Sequence, residues 1–260
     1  MTIELRDTAR LPVAWTAKPD ALHGRVVLVV GAAGALGSAS ARAAAQAGAK
    51  VILLGRKVRP LEKLYDEIEA AQPGCAAIYP LDLAGASPKD YDDLAATIER
   101  EFGRLDGVVF AAAQFDGLQP MFDAKAEAWL KTLHVNLNAP FLILQACADL
   151  LLRAPSGASE AGVVFSIDDP ARVGKAFWGG YGTAKHALLG LVSTLHQEWE
   201  SSRVRVHALL PAPMRSALRR MAYFGENTLE LPTADGAAQA VVYLLADDGA
   251  AARGKILDLR

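Results

Sequence analysis

The sequence predicts one α/β domain built on a doubly wound parallel sheet of about seven strands, with helices on both faces. Three observations carry this. Short unbroken apolar runs such as Val26–Val30, Val51–Leu54 and Gly162–Ile167 suit strands buried on both faces. Segments of helical periodicity separate these runs, the alternation of a parallel sheet with crossover helices. The 260 residues hold no internal repeat, low-complexity tract or Ser/Gly linker to mark a second domain.

Residues 1–22, with Pro12, Pro19 and scattered charge, read as an arm lying over a domain of residues 23–260. The organising stretch is Arg25–Gly37, RVVLVVGAAGALG. A strand over Val26–Val30 runs into Gly31, Gly34 and Gly37, the alanines that follow favour helix, and Val51–Leu54 is the next strand. In such a βαβ unit the first glycine permits a tight turn. A bare middle lets pyrophosphate approach backbone N–H groups at the helix N-terminus, and the last glycine lets helix and strand pack closely. Gly31, Ala33, Gly34, Ala35, Leu36 and Gly37 are therefore candidate dinucleotide contacts.

Further on, Leu61, Leu64, Tyr65 and Ile68 fall at helical spacing in Pro60–Ala71, and Gln72-Pro73-Gly74 stops that helix. Ala76–Leu83 reads as a third strand. Ser87 caps and Pro88 opens a helix to about Phe102. Gly107–Ala113 is a fourth strand, and Met121–Leu152 is mostly helix, broken near Asn138-Ala139-Pro140. Gly162–Ile167 is the fifth strand, Gly179–Ser201 a long helix and Arg203–Leu210 the sixth strand. A helix over Thr233–Ala246, capped by Thr233, and a short strand Lys255–Leu259 complete the pattern.

A net charge of −2 and a pI near 6.2 point away from nucleic acid and anionic membranes as partners. Cys75 and Cys147 lack metal-ligand spacing and read as buried free thiols in a reducing compartment. The first residues, MTIELRDTARLPVAW, carry early acids and no sustained apolar core, unlike a secretory signal. Val26–Ala41 is uncharged over 16 residues but is broken by glycine and serine, and is short for a membrane span. A cytoplasmic protein is expected.

The chemistry is concentrated in Tyr181-Gly-Thr-Ala-Lys185. Four residues apart, Tyr181 and Lys185 share one helix face, where an ammonium beside a phenol is expected to lower the phenol pKa from about 10. Tyr181 then becomes a candidate acid/base.

From Leu22 to Leu259 the chain resembles the short-chain dehydrogenase/reductase family. The resemblance rests on GAAGALG at 31–37, Asp82 after the third strand, Asn136 in HVNLNAP, YGTAK at 181–185 and the Pro211 turn after the sixth strand. It implies a Rossmann-like fold and an enzyme in which a reduced nicotinamide passes hydride to a carbonyl while the tyrosine gives the proton. On that resemblance Tyr181 is the proton donor, Lys185 binds the nicotinamide ribose and tunes Tyr181, and Asn136 supports a water-linked relay. Asp82, Leu83 and Ala111-Ala112-Ala113 belong to the cofactor site, and Pro211 and Ser216 border the nicotinamide. Family members also commonly pair their two long helices, here Met121–Leu152 and Gly179–Ser201, into homodimers or homotetramers. A second reading is a catalytically impaired NADP(H)-binding protein that acts through a partner.

Several positions depart from the family. Val30 stands where a threonine is usual, and the middle glycine falls at Gly34 with Ala35 in its customary place. The alanine run 111–113 replaces Asn-Ala-Gly. Most consequential is Asp168, thirteen residues before Tyr181, where the family has its active-site serine; Ser166 lies two residues too early on the strand. An ionised carboxylate there opposes a developing oxyanion and raises the Tyr181 pKa, whereas a protonated one, or one paired with Arg172 or Lys175, does neither. The second strand ends in Gly55-Arg56-Lys57, with Arg59 close behind and no acid to grip a ribose 2′-hydroxyl, so NADP(H) is expected over NAD(H). Met214–Leu231, with Met214, Met221, Tyr223, Phe224, Arg215, Arg219 and Arg220, is expected to cover the pocket of a small, partly apolar substrate.

Overall fold

The computed structural model describes residues 7–153 and 159–260. In chain order its elements are β1 (Thr8–Ala9), β2 (Val26–Val30), α1 (Ala35–Gln46), β3 (Lys50–Gly55), α2 (Val58–Ala71), β4 (Ala76–Pro80), α3 (Pro88–Phe102) and β5 (Gly107–Phe110). There follow α4 (Ala126–Leu133), α5 (Ala139–Leu152), β6 (Ala161–Ser166), α6 (Pro170–Val173), α7 (Gly179–Glu198), β7 (Val204–Leu210), α8 (Ala217–Ala222), α9 (Asp235–Leu245) and β8 (Ile256–Asp258).

All the strands pair in parallel, in the order β1-β8-β7-β6-β5-β2-β3-β4. The period-two alternation of a strand sorts the side chains of β2. Val27 and Val29 face the layer of α1, α2 and α9, while Val26, Leu28 and Val30 face that of α3, α5 and α7. With both faces covered, the apolar runs need no polar side, as the sequence indicated. The winding reverses between β2 and β5, which are neighbours, and that reversal opens a crevice at their C-terminal ends.

The sheet has eight strands among the described residues rather than about seven, because the arm supplies one. Thr8 and Ala9 pair with Ile256 and Leu257, the Trp15 indole donates to the Asp248 carboxylate at 2.7 Å, and Leu22 is fully buried. Residues 1–6 of the predicted arm lie outside the described residues.

Several boundaries move for local reasons. Helix α2 begins at Val58, because Pro60 falls in the first turn, where its missing N–H costs nothing. Strand β4 stops at Pro80, leaving Asp82 and Leu83 in a loop, and β5 stops at Phe110, so Ala111–Ala113 leave the ladder. Helix α9 starts at Asp235 with Ala234 at its cap; the Thr233 hydroxyl donates to the Asp235 carboxylate instead of capping. Ser87 does open α3, its N–H and hydroxyl both donating to Asp90 at 2.7 Å.

The expected break near Pro140 is a π-helical turn over His134–Asn138, between α4 and α5. Pro140 has no N–H for the carbonyl four residues back, and the widened turn accommodates that. Taken together, Ala126–Leu152 is long and apolar enough to cross a membrane, yet half of its most apolar window is buried, with Ile143, Leu144 and Cys147 in the core. Cys147 is buried and its thiol is pushed up to about 12 by that burial, whereas Cys75 is only half-buried, contrary to the expectation for it.

Candidate active site

The crevice between β2 and β5 is a cavity of about 530 Å³ that runs from the glycine turn to Tyr181. Every predicted cofactor or reaction residue borders it except Gly37 and Asn136. Both act from behind. A Cβ on Gly37 would lie 2.2 Å from the Gly31 carbonyl oxygen, so only glycine lets α1 sit this close to the turn. Gly31 has a φ of +87°, and a Cβ there would come 2.5 Å from the Ala112 nitrogen. The alanines after β5 therefore meet the glycine turn backbone to backbone.

At the N-terminus of α1, Gly34 is the cap residue. No side chain caps the helix and no acid lies in its first turn. Gly34, Ala35 and Leu36 border the cavity, so the uncapped helix end lies where a pyrophosphate would need it. Arg56 and Lys57 stand exposed on the rim beyond β3. The Asp82 carboxylate accepts from the Ala84 N–H at 3.1 Å, turning the β4–α3 loop across the cavity mouth.

Asn136 is buried within the π-turn. Its amide donates to the Gln114 and Thr132 carbonyls, both at 2.8 Å, and its oxygen accepts from the Gln114 N–H at 3.2 Å. The two Gln114 bonds join the segment after β5 to the π-turn and the Thr132 bond anchors the amide to α4, so Asn136 fixes one wall of the crevice.

At the inner end the Tyr181 hydroxyl donates to Asp168 Oδ2 at 2.8 Å, and Asp168 Oδ1 accepts from the Asp169 N–H at 2.7 Å. Asp168 thus occupies the position inferred for it, and among the described residues neither Arg172 nor Lys175 pairs with it. Lys185 Nζ lies 5.7 Å from the Tyr181 ring centroid and donates to the Ser166 carbonyl at 2.8 Å. The ammonium was expected to lower the phenol pKa; the structure overturns this. Burial, then Asp168, hold Tyr181 well above 10, and burial lowers Lys185 to about 8 against the pull of Asp168.

Sequence reasoning missed the aromatic wall. Phe115 stacks on Trp178 at 5.4 Å and meets Tyr181 edge-on at 5.3 Å, while Trp178 lies 5.8 Å from Tyr181 and 6.2 Å from Tyr223. The signal available was Trp178 itself, three residues before Tyr181 and so on the same helix face. Of the covering segment, Met214, Arg219 and Tyr223 border the cavity, but Met221 and Phe224 are exposed outside it. Arg219 pairs with Glu226 at 2.6 Å and lies 3.8 Å over the Tyr223 ring, and Arg215 donates to the Leu229 carbonyl at 2.7 Å. Ser216 borders the cavity while its hydroxyl accepts from the Arg219 N–H at 3.0 Å, capping α8.

A doubly wound sheet with a bare, uncapped helix end at its reversal point, and a buried Tyr–Lys pair beside it, defines a dinucleotide-dependent oxidoreductase. The chain belongs to the short chain dehydrogenase family, whose model matches residues 25–224. It is 32% identical to the uncharacterized oxidoreductase YciK of Escherichia coli over 93% of this chain and 94% of that one. A short chain dehydrogenase structure from Pseudomonas syringae superposes with a TM-score of 0.87 at 35% identity, covering 95% of this chain and 99% of the other. Another, from Escherichia coli CFT073 in complex with NADPH, gives 0.86 at 32% identity over 93% and 98%. The protein is an oxidoreductase of the short-chain dehydrogenase/reductase type, a family that binds a nicotinamide cofactor.

Proposed function

We propose that the protein is an NADP(H)-dependent enzyme that transfers hydride to or from a polarised carbon centre of a small, partly apolar molecule, the carbonyl–alcohol pair being the family's usual chemistry. The observation that carries this reading is one continuous cavity with the open N-terminus of α1 at one end and Tyr181, Lys185 and Asp168 at the other. The bound nicotinamide supplies or accepts the hydride. The glycine turn holds the pyrophosphate, Lys185 the nicotinamide ribose, and Pro211 and Ser216 the nicotinamide edge. Tyr181 exchanges the proton with a carbonyl substrate, and Asn136 keeps the crevice wall in register. A cytoplasmic setting, where thiols such as Cys75 and Cys147 stay reduced, belongs to the same reading.

The preference for NADP(H) rests on Arg56, exposed at the rim with no acid beside it in the loop after β3, and on the NADPH complex of the related Escherichia coli CFT073 chain. Fluorescence titration is expected to show tighter binding of NADPH than of NADH. Arg56→Ala should narrow the gap by about tenfold or more, the value of one lost charge-assisted hydrogen bond. Equal affinities in the parent would overturn the preference.

A homodimer or homotetramer through α5 and α7 belongs to this proposal, on a smaller apolar surface than the sequence suggested. Leu144, Leu150, Leu151, Leu188 and Leu195 are buried within the protomer, which leaves Phe141 and Leu152 exposed and Leu142, Leu189, Leu191 and Trp199 half-buried. Light scattering at micromolar concentration should give at least twice the chain mass; a particle of 27.5 kDa would rule association out.

A further inference from the structure

We propose that the reacting group for which this site is built is a protonated carbon–nitrogen double bond, an iminium carried on a flat apolar body, rather than a carbonyl. This names the substrate class within the NADP(H)-dependent hydride transfer proposed above and rests on that reading.

The first observation is where the phenol proton points. A tyrosine has one O–H to give, and Tyr181 gives it to Asp168 Oδ2 at 2.8 Å. A carbonyl oxygen at this place would compete with a carboxylate for its only proton donor and would gather negative charge against that carboxylate. An iminium N–H reverses both relations. It brings a donor to a site of acceptors, Asp168 Oδ2 and the Tyr181 oxygen, and it carries the charge that the carboxylate favours.

The second observation is the charge balance around Asp168. Neighbouring acids each have a cation of their own: Asp169 pairs with Arg260 at 2.9 Å, and Glu226 with Arg219 at 2.6 Å. Lys185 lies close by, but its ammonium is hydrogen-bonded to the Ser166 carbonyl. Among the described residues Asp168, which borders the cavity, has no cation within ion-pair distance; Arg172 borders the same cavity, 5.7 Å from the Tyr223 ring, and likewise has no ion-pair partner.

Thirdly, Trp178, Tyr181 and Tyr223 line the same end of the cavity. Aromatic faces beside an unpaired carboxylate favour an organic cation with an apolar body. Arg219 and Arg172 lie 3.8 and 5.7 Å from the Tyr223 ring, and Trp178 is itself mostly buried against Phe115, so this wall offers the cation a narrow aromatic border.

The chemistry balances without the phenol proton. Hydride from the reduced nicotinamide forms a C–H bond at the iminium carbon, and the C=N π pair moves onto nitrogen as its lone pair. The substrate is reduced to a neutral amine, the nicotinamide is oxidised to its cationic form, and the amine takes a proton from water on release.

The test compares matched probes at neutral pH, with binding followed by calorimetry on the enzyme–NADP⁺ complex. Tetrahydroisoquinolinium, an amine product analogue, is expected to bind about ten- to a hundredfold more tightly than isochroman, its neutral oxygen isostere, the value of one hydrogen bond to a charged group. Asp168→Asn, which keeps the shape and an acceptor for Tyr181, should bring the two probes to near parity and leave NADPH affinity unchanged. In turnover, dihydroisoquinoline should be reduced in preference to tetralone by the parent. Equal binding of the two probes by the parent, or a cation preference that survives Asp168→Asn, would overturn the proposal while NADPH binding and tetralone reduction left the broader function standing. A cation preference with no NADPH binding would instead reject hydride transfer, and this proposal with it.

Discussion

Tyr181→Phe is expected to reduce whatever carbonyl reduction the parent shows by about 10²–10⁴-fold, the range for loss of a general acid. The variant should still bind NADPH, because phenylalanine preserves the ring contacts to Phe115 and Trp178 at 5.3 and 5.8 Å. Only the hydroxyl is lost, and with it the bond to Asp168. Steady-state rates with a ketone, together with a cofactor titration, check the split. Reduction of an iminium, which needs no proton from the phenol, should fall far less. A ketone rate within a few-fold of the parent would show that another group, or water, protonates the product oxygen.

Asp168→Ser should act in the opposite direction on ketones. Removing one like charge beside a developing oxyanion is worth a few kcal/mol, or about 10²–10³ in rate. The pH profile gives a second reading. Tyr181 sits well above 10 because of burial first and Asp168 second. A raised pKa keeps the phenol protonated, so reduction is not limited by loss of the acid as pH rises through neutrality, while alcohol oxidation lacks its phenolate base. Deleting the carboxylate removes the second cause and leaves the first. The onset of alcohol oxidation should therefore move to lower pH without reaching that of a free phenol. Lys185, lowered to about 8, loses its charge above that pH in the parent and blunts the alkaline side; in the variant, without the pull of Asp168, it does so at lower pH. Identical rates and profiles in parent and variant would mean that the 2.8 Å bond is broken in the working complex.

The cofactor half of the site was legible because it is local. A strand, a glycine turn and a helix lie within Val26–Gln46; Gly37 is required by a backbone contact with Gly31, and Gly31 by the loop after β5. Strand ends were less legible. Ala111–Ala113 and Leu81–Leu83 continue an apolar pattern past the last ladder bonds, and apolarity does not distinguish a strand from a buried loop. The substrate end was least legible, since Trp178 before α7, Arg219 and Tyr223 on and after α8, and Arg260 at the last position come from three distant stretches that only the tertiary fold brings to one cavity. For Tyr181 the spacing revealed its neighbour Lys185 but not its burial, and burial decided the direction of the pKa.

The pairing of β1 with β8 bears on how the molecule reaches its working form. It joins Thr8 to Ile256, and Arg10 adds a hydrogen bond to the Asp258 carbonyl at 3.0 Å. Closing a loop of almost the whole chain carries the largest closure entropy in the sheet, so this pairing is expected to form after the inner strands. Asp258 in turn holds the Arg260 side chain, which pairs with Asp169 next to Asp168. The last seam to close therefore ends at the rim of the reaction cavity, and a nascent chain can assemble its cofactor cradle well before its substrate end is complete.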